Sequence, residues 1–184
     1  MPLTLTTPPS DEPVTLAEAK AYLKIDTTDE DALITRLIST ARFRTEWHTS
    51  RALVTQGWIY HLDTWPCRAV LDIPFQPLQS VSAVTVTARD GTTTTLSSAL
   101  YTVDTAGGRL AFGPLVAPPT DLAPIDAVAI AFTAGYGDAS AVPAPLKVAV
   151  LAFIAFLYEY RGDAPADPPP AVAALLAPYR IFRI

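Results

Sequence analysis

The sequence predicts an α+β fold, in which N-terminal and C-terminal helices form a helical bundle around an inserted β-rich subdomain, followed by an extended C-terminal tail. Apolar residues recur at helical spacing up to about Ser50, alternate with a period of two in the middle of the chain, and return to helical spacing near the end. Half of the 184 residues are apolar, which is enough to build a core. The expected boundaries are an extended arm at 1–13, the helical bundle at 14–52 and 138–177, the β-rich insertion at 53–137 and the tail at 178–184.

The most apolar segment runs from Pro143 to Tyr160 and predicts a helix without a solvent face. A membrane-spanning helix needs roughly 20 apolar residues. Lys147 and Glu159 bracket a much shorter run, so a helix buried in protein is favoured over a membrane span. We expect it to be covered on all sides, if necessary by neighbouring subunits, with close helix packing along a stripe of small residues, namely Ala149, Ala152 and Ala155.

The N-terminal third predicts an arm and two helices. Three prolines, Pro8, Pro9 and Pro13, favour an extended arm. Thr15 and Glu18 have the spacing of a capping box and predict a helix over Leu16–Leu23. A cap and three carboxylates in Thr28–Asp31 predict the start of a longer helix that ends near Ser50. The apolar positions that recur at helical spacing in it are Leu33, Ile34, Leu37, Ile38, Ala41 and Trp47, and its exposed side is expected to carry Arg36, Arg42, Arg44 and Arg51.

The middle of the chain predicts strands and two hairpins. The predicted strands are Leu53–Leu62, Ser80–Ala88, Thr92–Leu96, Tyr101–Asp104, Arg109–Phe112 and Ile125–Thr133. Turn sequences at Arg89–Gly91 and Thr105–Gly108 connect two adjacent pairs of these strands as hairpins. Gly135–Gly137 is interpreted as a strand-to-helix turn rather than a phosphate-binding loop, because the third glycine and an adjacent lysine are missing.

The end of the chain predicts a rigid spacer, a short helix and an apolar tail. The spacer is the proline-rich segment Arg161–Pro170, and the helix is Ala171–Leu176. The tail ends in Tyr179–Ile184, where only Arg180 and Arg183 carry charge. Such a tail packs on its own domain or is held by a partner; the spacer favours the partner.

Charge is unevenly distributed along the chain. The net charge is -5 and the pI about 4.9, which argues against a protein that grips nucleic acid over its whole surface. Residues 1–35 hold seven acids against two lysines, whereas residues 36–51 hold four arginines against one glutamate. One interpretation is solvated helix faces. The other is charge matching between subunits, which would use Asp29, Glu30, Asp31, Arg36, Arg42 and Arg44.

No residue pattern predicts catalysis, a metal site or a cofactor site. Cys67 is the single cysteine, which excludes a disulfide framework and suits a reducing compartment; a structural role is favoured over a reactive thiol. His48 and His61 have no partner at metal-ligand spacing and are interpreted as structural. The tripeptide Arg161–Asp163 is interpreted as a chance match to an adhesion motif. The N-terminus lacks the pattern of a signal peptide, so we expect a cytoplasmic protein before any assembly.

The order of several segments resembles the head-tail connector (adaptor) proteins of tailed bacteriophages and of phage-derived gene transfer particles. The segments are VTLAEAKAYLKID, DEDALITRLISTAR, RALVTQGW, IPFQPLQSVSAVTV, YTVD, FTAGYGDASAVPAPLKVAVLAFIAFLYEYRGD and PPAVAALLAPYR. Each segment has little specificity by itself. Their shared order over roughly residues 13–180 is what carries the resemblance.

The resemblance implies a structural, non-enzymatic protein of the particle neck without a cofactor or membrane contact. It implies a ring, expected to have twelve subunits, that lies beneath the portal protein, continues the DNA channel and presents a surface to the next head-completion or tail protein. DNA would pass without sequence-specific binding, and the acidic balance suggests a channel lining that repels phosphates. Portal binding falls on the tail residues Tyr179, Arg180, Ile181, Phe182, Arg183 and Ile184. The alternatives are an assembly chaperone or regulatory binding module outside the particle, and a small cytoplasmic enzyme.

Overall fold

The computed structural model describes residues 2–66, 69–113, 119–160 and 168–181. The chain divides into two compact units. One comprises Met1–Pro8 and Thr55–Gly135, and the other comprises Pro9–Val54 and Tyr136–Ile184. Over the described ranges, the first unit holds two antiparallel sheets and the second holds four α-helices, so the α+β class predicted from the sequence is confirmed.

The helical unit is built from helices α1 to α4. Their bounds are Leu16–Leu23 for α1, Asp31–Thr49 for α2, Ala144–Tyr160 for α3 and Pro170–Leu176 for α4. The other three helices all contact α3, and the core forms where their apolar faces meet it. This core also includes Leu53 and Val54, which the sequence assigned to a strand. They are buried among helices, and the strand therefore begins only at Gln56.

Helix α3 buries one face rather than its whole circumference. Its buried residues are Leu146, Ala149, Val150, Phe153, Ile154 and Leu157. On other sides, Val148 is 46% exposed and Tyr160 is 50% exposed. In the predicted alanine stripe, Ala149 is fully buried, whereas Ala152 and Ala155 are half-buried. One chain thus leaves apolar side chains of α3 uncovered. Among the described residues, no helix combines the length and the apolar character that crossing a membrane requires.

The predicted capping box begins α1. The backbone N–H of Glu18 donates to Thr15 Oγ1 at 3.1 Å, and the backbone N–H of Thr15 donates to Glu18 Oε2 at 2.6 Å. The bond from the Thr15 backbone, and after it the bond that Thr15 Oγ1 donates to Glu18 Oε2 at 2.9 Å, hold the pKa of Glu18 below its ordinary value of 4.5. Two N–H groups that the helix leaves without a partner are therefore satisfied by side chains.

Replacing Thr15 by alanine should lower the free energy of unfolding by about 1 kcal/mol at neutral pH. Because the folded-state pKa of Glu18 is lowered, the carboxylate stabilises the fold above its unfolded pKa, and this contribution is lost as the pH falls through the folded-state pKa. Thr15→Ala keeps the backbone N–H but loses the bond from Thr15 Oγ1 to the Glu18 carboxylate, so the part of the difference between wild type and variant that is due to this bond should disappear in acid. Urea unfolding at several pH values measures it, with the exposed Thr27→Ala as the matched control. A difference in the free energy of unfolding that stays constant down to the lowest pH measured would contradict this account.

The start of α2 differs from the prediction. Glu30 occupies the N-cap position and makes no side-chain capping bond, and Thr28 does not cap the helix with its hydroxyl. The carboxylates nearby are engaged elsewhere: Glu30 accepts a hydrogen bond from Tyr158 Oη, and Asp31 pairs with Lys20. Contacts with α1 and α3 have replaced local capping.

The β-rich unit contains eight described strands. Their bounds are Leu3–Thr7 for β1, Gln56–Leu62 for β2, Val70–Asp72 for β3, Leu78–Thr87 for β4, Thr93–Thr95 for β5, Tyr101–Asp104 for β6, Arg109–Phe112 for β7 and Val128–Ala134 for β8. One sheet has the order β1-β2-β8-β4-β5 and the other the order β3-β7-β6. Both predicted hairpins, β4–β5 and β6–β7, are confirmed as antiparallel pairs.

The larger sheet is organised around β2 and β8, whose side chains alternate strictly between buried and half-buried. Trp58 lies opposite Phe132 in the pairing register, and the Trp58 ring stacks on Phe75 with centroids 4.9 Å apart. Strand β8 begins at Val128 rather than at Ile125, because Asp126 has a positive φ of 52° and Ile125 is 71% exposed. Residues Leu3–Thr7 of the N-terminal segment form the edge strand β1 against β2.

Candidate assembly surfaces

The C-terminal segment lies against its own helical unit as far as the structure describes it. After α4, a short 3₁₀ turn over Ala177–Tyr179 leads into Arg180 and Ile181. The Nε of Arg51 donates to the carbonyl oxygen of Tyr179 at 2.6 Å, and the N–H of Ile181 donates to the carbonyl of Thr49 at 3.1 Å. The C-terminal end of α2 therefore fixes where this segment runs.

Three of the six predicted portal-binding residues fall inside the described chain. Tyr179 is half-buried and packs against the core of the helical unit, Ile181 is half-buried, and Arg180 is exposed. The other three, Phe182, Arg183 and Ile184, lie outside the described residues, as do residues 161–167 of the predicted spacer and Cys67. The first half of the predicted tail is thus partly held by its own unit.

Arg51 joins this segment to a second aromatic group. Its Nη1 donates to Tyr136 Oη at 3.2 Å, and burial raises the pKa of that phenol. Arg51 is one of the four arginines counted in residues 36–51, and sequence analysis did not assign it this role. Its contact with Tyr179 spans 128 positions, and no local pattern could have revealed it.

Replacing Arg51 by methionine should release the segment around Tyr179 while leaving α2 intact. A hydrogen bond from a charged donor contributes about 1.5–3 kcal/mol. The N–H of Ile181 should then exchange with solvent faster, by a factor on the order of 10 or more. Hydrogen-exchange mass spectrometry of the C-terminal peptide measures this rate, and the exposed Arg36→Met is the matched control. Unchanged exchange in Arg51→Met would show that the hydrogen bond does not hold the segment.

Most of the charged residues predicted to lie between subunits have contacts inside the subunit. Lys20 Nζ lies 2.6 Å from Asp31 Oδ1, and Arg42 contacts both Glu12 and Glu46 at 2.8 Å. The guanidinium of Arg44 lies 5.5 Å from the centre of the Phe153 ring. Glu30 bonds with Tyr158, as described above. Over the described residues, the exposed side chains of Arg36 and Asp29 make no ion pair.

A row of exposed side chains follows α2 on the side away from the core, and we call it the outer stripe. Its members are Leu33, Arg36, Thr40, Phe43 and Trp47. Phe43 is 52% exposed and Trp47 is 50% exposed, and their ring centroids lie 5.9 Å apart. Leu33 and Trp47, two of the apolar positions whose spacing predicted α2, therefore lie outside the core, since Leu33 is also 36% exposed. Because an α-helix turns by about 100° per residue, these positions lie on the side of α2 opposite Ile34 and Ile38. This separation of the two faces follows from the sequence positions alone.

A shallow depression on α1 forms the second surface, which we call the α1 groove. It is lined by Leu16, Ala17, Lys20, Ala21, Ile25 and Asp26, and its volume is about 430 Å³. The lining is apolar except for Lys20 and Asp26. Sequence analysis did not single it out, because a groove depends on where Ile25 and Asp26 lie after the helix ends.

The β-rich unit offers no arrangement that suggests chemistry in the described part of the chain. His61 of β2 lies 3.3 Å from Thr4 Oγ1 and 3.4 Å from Asp126 Oδ1. No group of three potential metal ligands occurs within the described ranges. Gly135 and Gly137 both have φ near +135°, which favours glycine, and lie between β8 and α3 as predicted for a strand-to-helix turn.

Comparisons with known proteins agree on a neck component. The family model of the phage gp6-like head-tail connector protein matches residues 13–104, which is half of the chain. No curated protein sequence matches the chain significantly.

Several solved structures match the whole chain. A chain in the neck of an empty GTA particle, computed with C6 symmetry, is 28% identical with a TM-score of 0.82. A chain in the neck of a native GTA particle, computed with C12 symmetry, is 27% identical with a TM-score of 0.81. A chain in the virion of a native gene transfer agent particle is 27% identical with a TM-score of 0.80. Each match covers 100% of this chain and 97% of the other. The matched family is one of structural connectors rather than enzymes, and with half of its length inside the family model, this chain belongs to the phage gp6-like head-tail connector family.

Proposed function

We propose that this chain is the head-tail connector of a phage or gene-transfer-type particle, where twelve copies form a ring in the neck. The observation that carries this proposal is the match over the entire chain to a neck protein whose structure was computed with C12 symmetry. The family model supports it independently from the sequence of residues 13–104.

The proposed partners are the portal protein on the head side, a head-completion or tail protein on the other side, and neighbouring copies of the chain. Portal binding is assigned to Tyr179–Ile184. Since residues 179–181 are partly held by Arg51 and Thr49, we assign the decisive contacts to the last three residues. The proposal also divides the chain by role into a helical bundle at 14–52 and 138–177, an insertion at 53–137 and a docking tail at 178–184.

Charge matching between subunits is the second part of the proposal. It uses Asp29, Glu30 and Asp31 on one side and Arg36, Arg42 and Arg44 on the other. Because Asp31, Glu30, Arg42 and Arg44 already have contacts within the subunit, Arg36 and Asp29 are the members most available to a neighbour.

The ring would conduct DNA without binding a particular sequence. The net charge of -5 supports a channel lining that repels phosphates, so that DNA slides through. A lumen composed mainly of lysine and arginine in the assembled ring would contradict this part.

Purified particles from the producing cell test the proposed function. The chain should be present in the particles at about twelve copies per portal ring, and cells without it should accumulate filled heads that lack tails. Quantitative mass spectrometry and electron microscopy measure the two results. A chain that assists assembly but is absent from finished particles would instead be an assembly chaperone or regulatory module.

A further inference from the structure

We infer that, in the ring, the outer stripe of α2 in one subunit packs into the α1 groove of the next copy. This inference rests on the proposed function, because it specifies the contact by which neighbouring connectors would associate. Both surfaces belong to the helical unit of the chain.

The outer stripe has the composition of an interface anchor. Two large aromatic side chains, Phe43 and Trp47, are each about half exposed and lie side by side one helical turn apart. Aromatic residues and arginine are enriched in the centres of protein interfaces and contribute most of their binding energy. Leu33, Arg36 and Thr40 extend this surface along the same side of the helix. The stripe is therefore an amphipathic ridge that suits an apolar groove.

The α1 groove offers a surface of matching character. Its apolar lining comes from Leu16, Ala17, Ala21 and Ile25, and two of these are alanines that leave room for larger side chains. The depression is open to solvent and has a volume of about 430 Å³, so side chains of a neighbouring helix can reach its lining. The positive charge of Lys20 is already paired with Asp31, so the groove presents no unmatched cation to the arginine of the stripe.

Charge fixes the direction of packing. Arg36 is exposed on the stripe, and Asp26 is exposed at the end of the groove that follows α1. Within the described residues neither side chain forms an ion pair in its own subunit. If Arg36 meets Asp26, then Thr40 lies about 6 Å further along α2, beside Ala21, and the aromatic pair lies over Ala17 and Leu16.

The outer stripe and the α1 groove are different surfaces of the helical unit, and this difference decides whether the contact between copies can form a ring. A contact between unlike surfaces can repeat around a ring, whereas a contact of one stripe with another stripe forms a closed pair. The stripe lies opposite the core-facing side of α2, while α1 packs near Asp31. Each copy can therefore offer its stripe to one neighbour and its groove to the other.

Cross-linking in assembled particles tests the inference. The chain carries Thr40→Cys and Ala21→Cys, with Cys67→Ser to remove the natural thiol, and particles are treated with a short thiol-reactive cross-linker. We expect a ladder of covalent multimers extending beyond dimers under denaturing electrophoresis. Each single-cysteine variant should remain monomeric. Dimers from Thr40→Cys alone would indicate contact between two stripes and would overturn the inference.

Substitutions in the interface supply the second measurement. Arg36→Asp or Asp26→Arg alone should reduce cross-linking at least 10-fold, and the two together should restore it. Phe43→Ser with Trp47→Ser should also reduce it, whereas Val70→Ser, at an exposed apolar position of β3, is the matched control and should not. If the chain is present in particles but gives no ladder, the inference is wrong and the proposed function stands. If the unmodified chain is absent from particles, the proposed function fails and the inference fails with it.

Discussion

Deleting Phe182, Arg183 and Ile184 should abolish binding to the portal protein while the monomer stays folded. An aromatic residue, an arginine and an aliphatic residue form the kind of anchor that fills a partner's pocket, and truncating one such residue costs about 2 kcal/mol or more. Losing all three should weaken the complex by a factor on the order of 10,000, which leaves no measurable binding at micromolar concentrations. Binding of the purified chain to assembled portal rings, measured by surface plasmon resonance, gives this ratio.

The site of truncation matters because the preceding residues have structural contacts. Tyr179 packs against the helical core, its carbonyl accepts from Arg51, and Ile181 bonds with Thr49. Deleting from residue 178 would therefore disturb folding together with binding. Leu175→Ser, at a 38% exposed position of α4, is the matched control that keeps the tail. If a chain ending at Ile181 bound the portal with unchanged affinity, the last three residues would not take part in the docking contact.

The sequence predicted those elements whose causes are local. The capping box of Thr15 and Glu18 depends on residues three positions apart, and each hairpin depends on a turn of a few residues between alternating strands. The long apolar helix was found for the same reason, since its spacing is visible within one segment. These features need no knowledge of the rest of the chain.

What the sequence left unpredicted depends on distant residues. Leu53 and Val54 begin a run rich in β-branched and aromatic residues that predicts a strand, but they are buried among helices that begin about 40 positions earlier and 90 positions later. The short strand β3 was not predicted either, because Val70–Asp72 acquires its strand character by pairing with β7. Among the candidate surfaces, the tail residues were predicted by resemblance, whereas the outer stripe and the α1 groove were not predicted at all.

Glu46 makes a contact that the sequence did not predict, and replacing this residue should have the largest effect on the free energy of unfolding. Its side chain is only 3% exposed, in the last turns of α2. Oε1 accepts the N–H of the fully buried Leu53 at 2.9 Å, and Oε2 accepts Arg42 Nη1 at 2.8 Å. Removing Glu46 leaves the buried N–H of Leu53 without this acceptor and leaves Arg42 with Glu12 as its remaining carboxylate, and together these losses cost about 3 kcal/mol. Glu46→Ala should therefore lower the free energy of unfolding of the helical unit by about that amount.

Two comparisons separate the parts of this effect. Glu46→Gln keeps an oxygen that can accept from Leu53 but loses the charge beside Arg42, so it should fall between wild type and Glu46→Ala. Glu12→Ala removes the other carboxylate that pairs with Arg42. Because the Glu12 side chain is 31% exposed, this substitution should lower the free energy of unfolding by no more than about 1 kcal/mol. Urea unfolding followed by circular dichroism at the helical band measures all three. If Glu46→Ala cost no more than Glu12→Ala, the buried carboxylate would not be what joins α2 to Leu53, and the helical unit would owe its stability to apolar packing on α3 instead.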